Sequence, residues 1–159
     1  MTFEQFTELA REYDYIPVFE KMTADLFTPV IAYLKLRKEG RQSFLLETVE
    51  GKERLGRYSF IGIDPVKVVS NRGMELEIKE NGTTTTLRKN IFDHLKEDLH
   101  TRRHPALRDL PSFTGGTVGF IGYENISLIE PKVQYPGDGV GLPDSILGVY
   151  ETVIAFDHY

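Results

Sequence analysis

The sequence lacks cysteine altogether, and this absence removes several kinds of chemistry at once. The chain can form no disulfide, offers no thiolate ligand to zinc and has no cysteine nucleophile. It also lacks a run of basic residues, and its formal charge is −5 at pH 7. Binding to the phosphate backbone of nucleic acid needs a cationic surface. We therefore expect no nucleic-acid partner.

Long apolar runs are missing as well. No window approaches the roughly 18 apolar residues of a membrane-spanning helix, and the first residues do not show the basic-then-apolar pattern of a signal peptide. The chain does have 159 residues, of which 40% are hydrophobic, and this is enough for about one domain with its own core. We expect a soluble, cytoplasmic protein with one folded domain and no membrane contact.

Three segments combine helical periodicity with a capping residue at the start. They are residues 3–13, residues 29–38 and a segment that begins at Ile91 and ends before Pro105, and they are capped by Thr2, Thr28 and Asn90. The second segment opens with Thr28-Pro29, a capping hydroxyl followed by proline at the first helical position. Its apolar residues Val30, Ile31 and Leu34, with Tyr33 as a further candidate, predict a buried face.

The remaining pattern is that of strands. Between residues 42 and 87 the apolar period changes to two, and two hairpin signals, Asn71-Arg72-Gly73 and Asn81-Gly82, indicate an antiparallel meander. A further apolar strand is predicted from Ile146 to Phe156, and a long unpaired strand at a chain end is a liability. We therefore expect a piece of a longer chain. The predicted class is α+β, with antiparallel sheets, meander- or sandwich-like, packed with about three helices.

Two histidines have the spacing of a metal pair. His100 and His104 are four residues apart, as in helical zinc sites. No glutamate lies between them, however, and Arg102 and Arg103 would repel a cation. A solvated helix end explains these residues better, because histidine and arginine suit the helix dipole there. We expect no metal site.

A glycine-rich tract, residues 115–119, is only superficially similar to a phosphate loop. No Lys-Ser or Lys-Thr pair follows it, and the pattern continues as a strand. Glycines inside a strand permit close approach of another backbone, or a bulge. We expect residues 115–123 to be a buried strand, and the alternative is an interface on which another domain docks.

Three tracts occur in a specific order and separation. They are residues 45–48 (Leu-Leu-Glu-Thr), 54–62 (Arg-Leu-Gly-Arg-Tyr-Ser-Phe-Ile-Gly) and 115–123 (Gly-Gly-Thr-Val-Gly-Phe-Ile-Gly-Tyr). Together with residues 24–30 and the strand 147–157, they resemble the N-terminal domain of anthranilate synthase component I over essentially the whole chain. In the last tract the family usually continues Tyr-Asp where this chain has Glu124.

The resemblance implies a regulatory and scaffolding part of an enzyme of tryptophan biosynthesis, which converts chorismate and ammonia into anthranilate and pyruvate. In this family the catalytic residues and the magnesium carboxylates lie in a larger C-terminal domain. Residues 1–159 are thus expected to hold no catalytic residue, metal or cofactor, although the complete enzyme would need Mg²⁺. The implied partners are that chorismate-binding domain, the glutamine amidotransferase subunit (component II) and L-tryptophan as effector.

The resemblance also assigns effector-site residues. The family's N-terminal domain supplies one wall of the allosteric tryptophan pocket, and the matching positions are Pro29, Leu46, Glu47 and Thr48. The family usually has serine where this chain has Thr48, so the hydroxyl is kept and a methyl is added. Chemically, Glu47 can pair with the ligand's ammonium, Thr48 can hydrogen-bond a polar group, and Leu46 with Pro29 can face the indole.

The start of the 29–38 helix could also receive the carboxylate of the amino acid, because free backbone amides at a helix N-terminus favour an anion. Helix geometry supplies the anion preference, and the resemblance implies the ligand.

Two alternatives stay open. The large subunit of aminodeoxychorismate synthase, in the folate pathway, has the same layout, and tryptophan inhibition of the complete enzyme would separate it from anthranilate synthase. A stand-alone ligand-binding or interaction module would have no enzyme attached. The coding sequence after Tyr159 would separate that possibility from the others.

Overall fold

The computed structural model describes residues 1–47, 57–100, 103–130, 132–134 and 141–159, apart from the side chain of His100. These residues form three α-helices, a 3-10 helix and eight strands. In chain order they are α1 (Phe3–Leu9), α2 (Pro29–Leu36), β1 (Ser43–Leu46), β2 (Tyr58–Ile63), β3 (Lys67–Arg72), β4 (Glu75–Glu80), β5 (Thr83–Arg88), α3 (Ile91–His100), β6 (Gly116–Ile121), the 3-10 helix (Tyr123–Leu128), β7 (Ser145–Tyr150) and β8 (Val153–Asp157).

The strands form two antiparallel sheets, which confirms the predicted α+β class. One sheet has three strands in the order β1-β2-β8, and the other has five in the order β5-β4-β3-β7-β6. In the described part of the chain no helix is long and apolar enough to cross a membrane.

Aromatic rings join the two sheets. Phe44 of β1 meets Tyr150 of β7 edge-on, with ring centroids 4.7 Å apart. Phe113 lies 5.2 Å from Phe60 and 6.2 Å from Phe44. Phe44 also lies over Gly62, where any β-carbon would come within 2.2 Å of its ring. One face of the three-stranded sheet is therefore directed at the five-stranded sheet.

The outer layers are helical. On the other face of the three-stranded sheet, Tyr33 of α2 and Ser43 of β1 are hydrogen-bonded through their hydroxyls at 3.1 Å. On the far side of the five-stranded sheet, Ile91 of α3 packs with the strand residues Val69, Leu76 and Leu147. Full burial of such a side chain contributes about 1.5–3 kcal/mol. The layers thus run α2, three-stranded sheet, five-stranded sheet, α3.

The prediction of a single meander over residues 42–87 was wrong, because the strands of this segment are divided between the two sheets. β2 ends at Ile63 in one sheet and β3 begins at Lys67 in the other. Between them Asp64 adopts a φ of 50° and Pro65 has no amide to continue a ladder. The two hairpin predictions are confirmed: the β4–β5 turn has Asn81 and Gly82 at φ 50° and 75°, as a type I′ turn requires.

The predicted strand from Ile146 to Phe156 is in fact two strands. β7 lies between β3 and β6 in the five-stranded sheet, whereas β8 pairs with β2 in the other. The chain passes from one sheet to the other at Glu151 and Thr152. The apolar run is consequently paired along both halves, contrary to the expectation of an unpaired strand.

The helices differ from prediction in length and burial. The capping box of Thr2 and Gln5 is present, but α1 ends at Leu9, after which the amide of Glu12 bonds back only three residues, to Leu9. The predicted buried face of α2 was wrong: its apolar residues are 43–54% exposed, namely Val30, Ile31 and Leu34. Tyr33, the further candidate for that face, is the residue that the helix directs at the sheet.

Candidate functional site

Pro29 occupies the first position of α2, and the preceding cap uses much of what the helix start could offer a ligand. The hydroxyl of Thr28 accepts a hydrogen bond from the amide of Ile31 at 3.2 Å. The carbonyl of Thr28 accepts another from the amide of Ala32 at 3.0 Å. Proline itself has no amide hydrogen. The helix start therefore keeps few donors for the carboxylate that the sequence interpretation placed there.

Leu46 and Pro29 lie on opposite faces of the three-stranded sheet. Side chains alternate along a strand, so Leu46 shares its face with Phe44, which is directed at the five-stranded sheet. Ser43 belongs to the other face, where it bonds to α2. β1 is an outer strand of its sheet, and Leu46 is 46% exposed. A ligand that touches both Leu46 and Pro29 must therefore reach around the free edge of β1.

Glu47 follows the last residue of β1 and is exposed. In the β1–β2 register Leu46 is opposite Phe60, and this is the last pair of the ladder. Glu47 therefore lies just past the paired part of β1, and Thr48 lies outside the described residues. Leu46 and Glu47 are thus neighbours at the end of an outer strand, whereas Pro29 begins α2 on the other face of the sheet.

A wide cleft of about 920 Å³ lies at the opposite end of β1. It runs from the connection after α2 to the face of β6 and β7 that carries Tyr150, and its lining includes Arg37, Phe44 and Phe120. Two cations beside it, Lys38 and Arg41, are ion-paired with Asp64 at 3.3 and 3.1 Å. Of the predicted effector residues that the structure describes, Pro29, Leu46 and Glu47, none lines this cleft.

A group of polar contacts that the sequence interpretation missed lies next to the candidate site. Arg57, just before β2, donates two hydrogen bonds to Asp157 at the end of β8, at 2.8 and 2.6 Å. Ser59 of β2 bonds to the imidazole of His158 at 2.8 Å. These partners are about 100 residues apart in the sequence. No local pattern could have revealed them, because only the pairing of β2 with β8 brings them together.

The Arg57 guanidinium lowers the pKa of Asp157 to about 2. A carboxyl group whose pKa is lower in the folded than in the unfolded state stabilises the fold above the unfolded value, and this stabilisation is lost as the pH falls through the folded value. We expect Arg57→Gln to lower the melting temperature at pH 6, and the difference from wild type to shrink between pH 4 and pH 2. Thermal unfolding monitored by circular dichroism tests this. A difference that stays constant over that range would contradict it.

The glycine-rich tract lies on β6, an outer strand of the five-stranded sheet. The expectation of a buried strand was wrong: residues 115–118 are only partly buried, and Gly119, Phe120 and Ile121 are exposed. The expected close backbone approach is present: a β-carbon at Gly119 would lie 2.0 Å from the carbonyl oxygen of Ile146. The tract therefore supports pairing with β7 and leaves its outer edge open.

A buried amide cluster follows this tract. The side-chain oxygen of Asn125 accepts a hydrogen bond from Asn71 at 2.8 Å. Its nitrogen lies 2.9 Å from the hydroxyl of Ser145 and 3.0 Å from the carbonyl of Asp144. Both asparagines are 2% exposed. The cluster joins the 3-10 helix, β3 and the start of β7, and it has a structural role.

The histidine pair is not tested by the structure. His104 is exposed, and the side chain of His100 lies outside the described residues. Among the residues whose placement is described, no group of three or more histidine, aspartate or glutamate side chains is arranged to hold a metal ion.

Comparison with known proteins supplies the family. No family model matches the chain. It is 42% identical over 157 residues to anthranilate synthase component 1 of Synechocystis, covering 98% of the chain and 31% of that protein. It is 35% identical over 158 residues to the probable anthranilate synthase component 1 of Schizosaccharomyces pombe, covering 98% and 29%. The chain is a homologue of the N-terminal part of anthranilate synthase component 1.

The solved structures agree with this assignment. The crystal structure of anthranilate synthase component I from Streptococcus pneumoniae matches 89% of the chain and 29% of that protein, with a TM-score of 0.53 and 31% sequence identity. The chain therefore spans about a third of the length of the component 1 relatives it matches. The resemblance read from the three tracts is confirmed.

Proposed function

We propose that residues 1–159 act as the N-terminal regulatory domain of a larger anthranilate synthase component 1, and that they contribute to its tryptophan feedback-inhibition site. The observation that carries the proposal is the match of 98% of the chain, at 42% identity, to 31% of the Synechocystis component 1. The complete enzyme would convert chorismate and ammonia into anthranilate and pyruvate in the cytoplasm, with Mg²⁺ held outside these residues.

The effector site proposed here consists of Pro29, Leu46, Glu47 and Thr48. Glu47 is exposed, so its carboxylate is available to an ammonium group. The free edge of β1 supports a small polar ligand too, because every second residue of an outer strand directs its unpaired N–H and C=O groups outward. An amino acid carries both a donor and an acceptor for such an edge. The part of the relatives outside the matched third would close the pocket.

The exposed face of α2 supports a larger-chain context. Val30, Ile31 and Leu34 are each more than 40% exposed and are neighbours on the helix surface. Contiguous exposed apolar surface is typical of a docking site. We propose that the chorismate-binding domain of the longer protein covers this face, and that the glutamine amidotransferase subunit is a further partner of the complete enzyme.

The proposal is tested in a chimera that joins residues 1–159 to the part of the Synechocystis component 1 that follows its matching segment. Anthranilate fluorescence reports turnover of chorismate with ammonium and Mg²⁺, and tryptophan is titrated into the reaction. We expect anthranilate formation by the chimera and its inhibition by tryptophan. Turnover by residues 1–159 alone would contradict the proposal that catalysis belongs to the rest of the enzyme. An active chimera that is indifferent to tryptophan would favour the aminodeoxychorismate synthase alternative.

Glu47→Ala in this chimera is expected to raise the tryptophan concentration for half inhibition at least tenfold. The loss of a charge-assisted contact to an ammonium group is worth about 1.5–3 kcal/mol, and every 1.4 kcal/mol is a factor of ten. Glu80→Ala is the matched control, because Glu80 is an exposed glutamate at the end of β4 in the other sheet. Equal inhibition of the Glu47→Ala and Glu80→Ala chimeras would remove Glu47 from the site.

A further inference from the structure

The outer strand β6 has none of the residues that normally protect the edge of a sheet. It is the last strand of the five-stranded sheet, and within the described part of the chain it pairs only with β7. Its sequence, Gly-Thr-Val-Gly-Phe-Ile, contains no charged residue and no proline. Natural proteins usually block an outer strand with charge or proline, because its unpaired N–H and C=O groups attract another strand. The edge of β6 is therefore open to such pairing.

The opposite edge of the same sheet has a different chemistry. β5 consists of four threonines followed by Leu87 and Arg88, and all four threonines are exposed. A strand that is rich in hydroxyl groups and ends in a charge is suited to water on its outer side. The two edges of one sheet therefore differ, and β5 provides an internal reference for β6.

Large apolar side chains are half-exposed on both faces of β6. Phe120 is opposite Ile146 in the β6–β7 register, and alternation along the strands puts it on the face that carries Tyr150. Ile121 lies on the other face. Phe120 is 46% exposed and Ile121 is 49% exposed. Apolar residues on both faces are typical of a strand that is covered on both sides, so the end of β6 has the composition of an inner strand.

The cleft of about 920 Å³ lies beside this edge. Phe120 and Ile146 line it from the five-stranded sheet, and Phe44 lines it from the three-stranded sheet. The described residues thus leave space between the two sheets next to β6. A strand paired with the outer edge of β6 would direct alternate side chains to the two faces of the sheet. One set of these side chains would enter the cleft beside Phe120, and the other set would lie beside Ile121.

We propose that an apolar strand from the part of the longer component 1 outside residues 1–159 adds to the outer edge of β6. This inference rests on the proposed function and names the strand that receives the rest of the enzyme. The chain matches only 31% of the Synechocystis component 1, so most of that protein is available to supply the added strand. Main-chain hydrogen bonds hold a strand of this kind, and its alternate side chains give specificity.

Hydrogen exchange in the chimera tests the added strand. The amides of an outer strand that point away from the sheet exchange quickly unless another strand binds them. We expect β6 to lack this fast set, and its amides to exchange at least about tenfold more slowly than the outward amides of β5. A fast set in β6 overturns the added strand, even in a chimera that forms anthranilate. Protection of β6 that is lost on dilution identifies a second copy as the occupant, and it also overturns the proposal.

A lysine at the edge provides the second test. Phe120→Lys should introduce the fast set of amides into β6 and lower the melting temperature of the chimera, because a charge replaces the apolar contact of the added strand. Thr86→Lys is the matched control, since Thr86 is exposed on the outer strand β5 and lies opposite Glu77. Unchanged exchange of β6 in Phe120→Lys overturns the added strand alone, and the wild-type measurement decides if this variant does not fold. A wild-type chimera that forms no anthranilate overturns the proposed function, and this inference with it.

Discussion

Replacing Asn125 with aspartate is expected to destabilise the fold by about 3–5 kcal/mol at pH 7, the cost of leaving a buried charge without compensation. The side-chain nitrogen of Asn125 is a donor to the hydroxyl of Ser145 and to the carbonyls of Gly122 and Asp144. Aspartate replaces this donor with an oxygen that faces acceptors. The site is 2% exposed, so water cannot take the place of the lost hydrogen bonds.

The pH dependence of this variant checks the cause. A buried carboxyl group favours its neutral form, so its folded pKa lies above the unfolded value. The destabilisation should be greatest above the folded pKa and should diminish as the pH falls toward the unfolded value. Urea unfolding at pH 7 measures the full destabilisation, and urea unfolding at pH 4 measures the diminished one.

Asn81→Asp is the matched control for the same chemical change. Asn81 lies in the β4–β5 turn with a φ of 50° and is exposed, and aspartate tolerates that conformation. Its cost should stay within about 0.5 kcal/mol, as for most surface substitutions. Equal free energies of unfolding for the Asn125 and Asn81 variants would show that the buried amide cluster does not stabilise the fold.

Gly119→Val is expected to cost about 3 kcal/mol and to disrupt the pairing of β6 with β7. A β-carbon at this position would lie 2.0 Å from the carbonyl oxygen of Ile146 and 2.8 Å from the α-carbon of Leu147. Both atoms belong to backbone, so a rotamer change cannot relieve the contact. Urea unfolding gives the loss of stability, and hydrogen exchange at the amides of β6 locates it.

Gly40→Ala separates the effect of space from that of backbone conformation. Gly40 has a φ of 74°, and a β-carbon there would meet no atom within 4 Å, so alanine suffers only the cost of left-handed backbone, about 1–2 kcal/mol. We expect local loosening of β6 in Gly119→Val and none in Gly40→Ala. Equal exchange rates along β6 in the two variants would contradict the close-approach interpretation.

The sequence predicted helix starts and turns well where the stabilising residues are close to them in the chain. The capping residues Thr2 and Thr28 begin helices as expected, because a hydroxyl satisfies amides only a few residues away. The Asn81-Gly82 turn forms for the same reason, since its positive φ values are a property of those two residues. Prediction was poorer where contacts with distant parts of the molecule determine burial. The helix α2 exposes the apolar face that helical periodicity assigned to the core.

In the candidate site, too, the sequence predicted the residues but not their arrangement. Its residue types could be predicted from the ordered tracts, and the family they indicated is confirmed. Their arrangement could not, because the face of a strand and its neighbours depend on sheet assignment. The alternation along β1 separates Leu46 from Pro29, and only the pairing with β2 places Leu46 opposite Phe60.

The sequence by itself determined the absence of cysteine chemistry, the helix starts, the tight turns and the kinship with anthranilate synthase component 1. These depend on residue identity and on contacts within a few positions. The tertiary structure alone decided that the apolar run 146–156 is shared between two sheets, that Asn71 and Asn125 meet in the interior, and that Arg57 reaches Asp157. Such contacts join residues dozens of positions apart, and they exist only once strand pairing has closed the long loops between them.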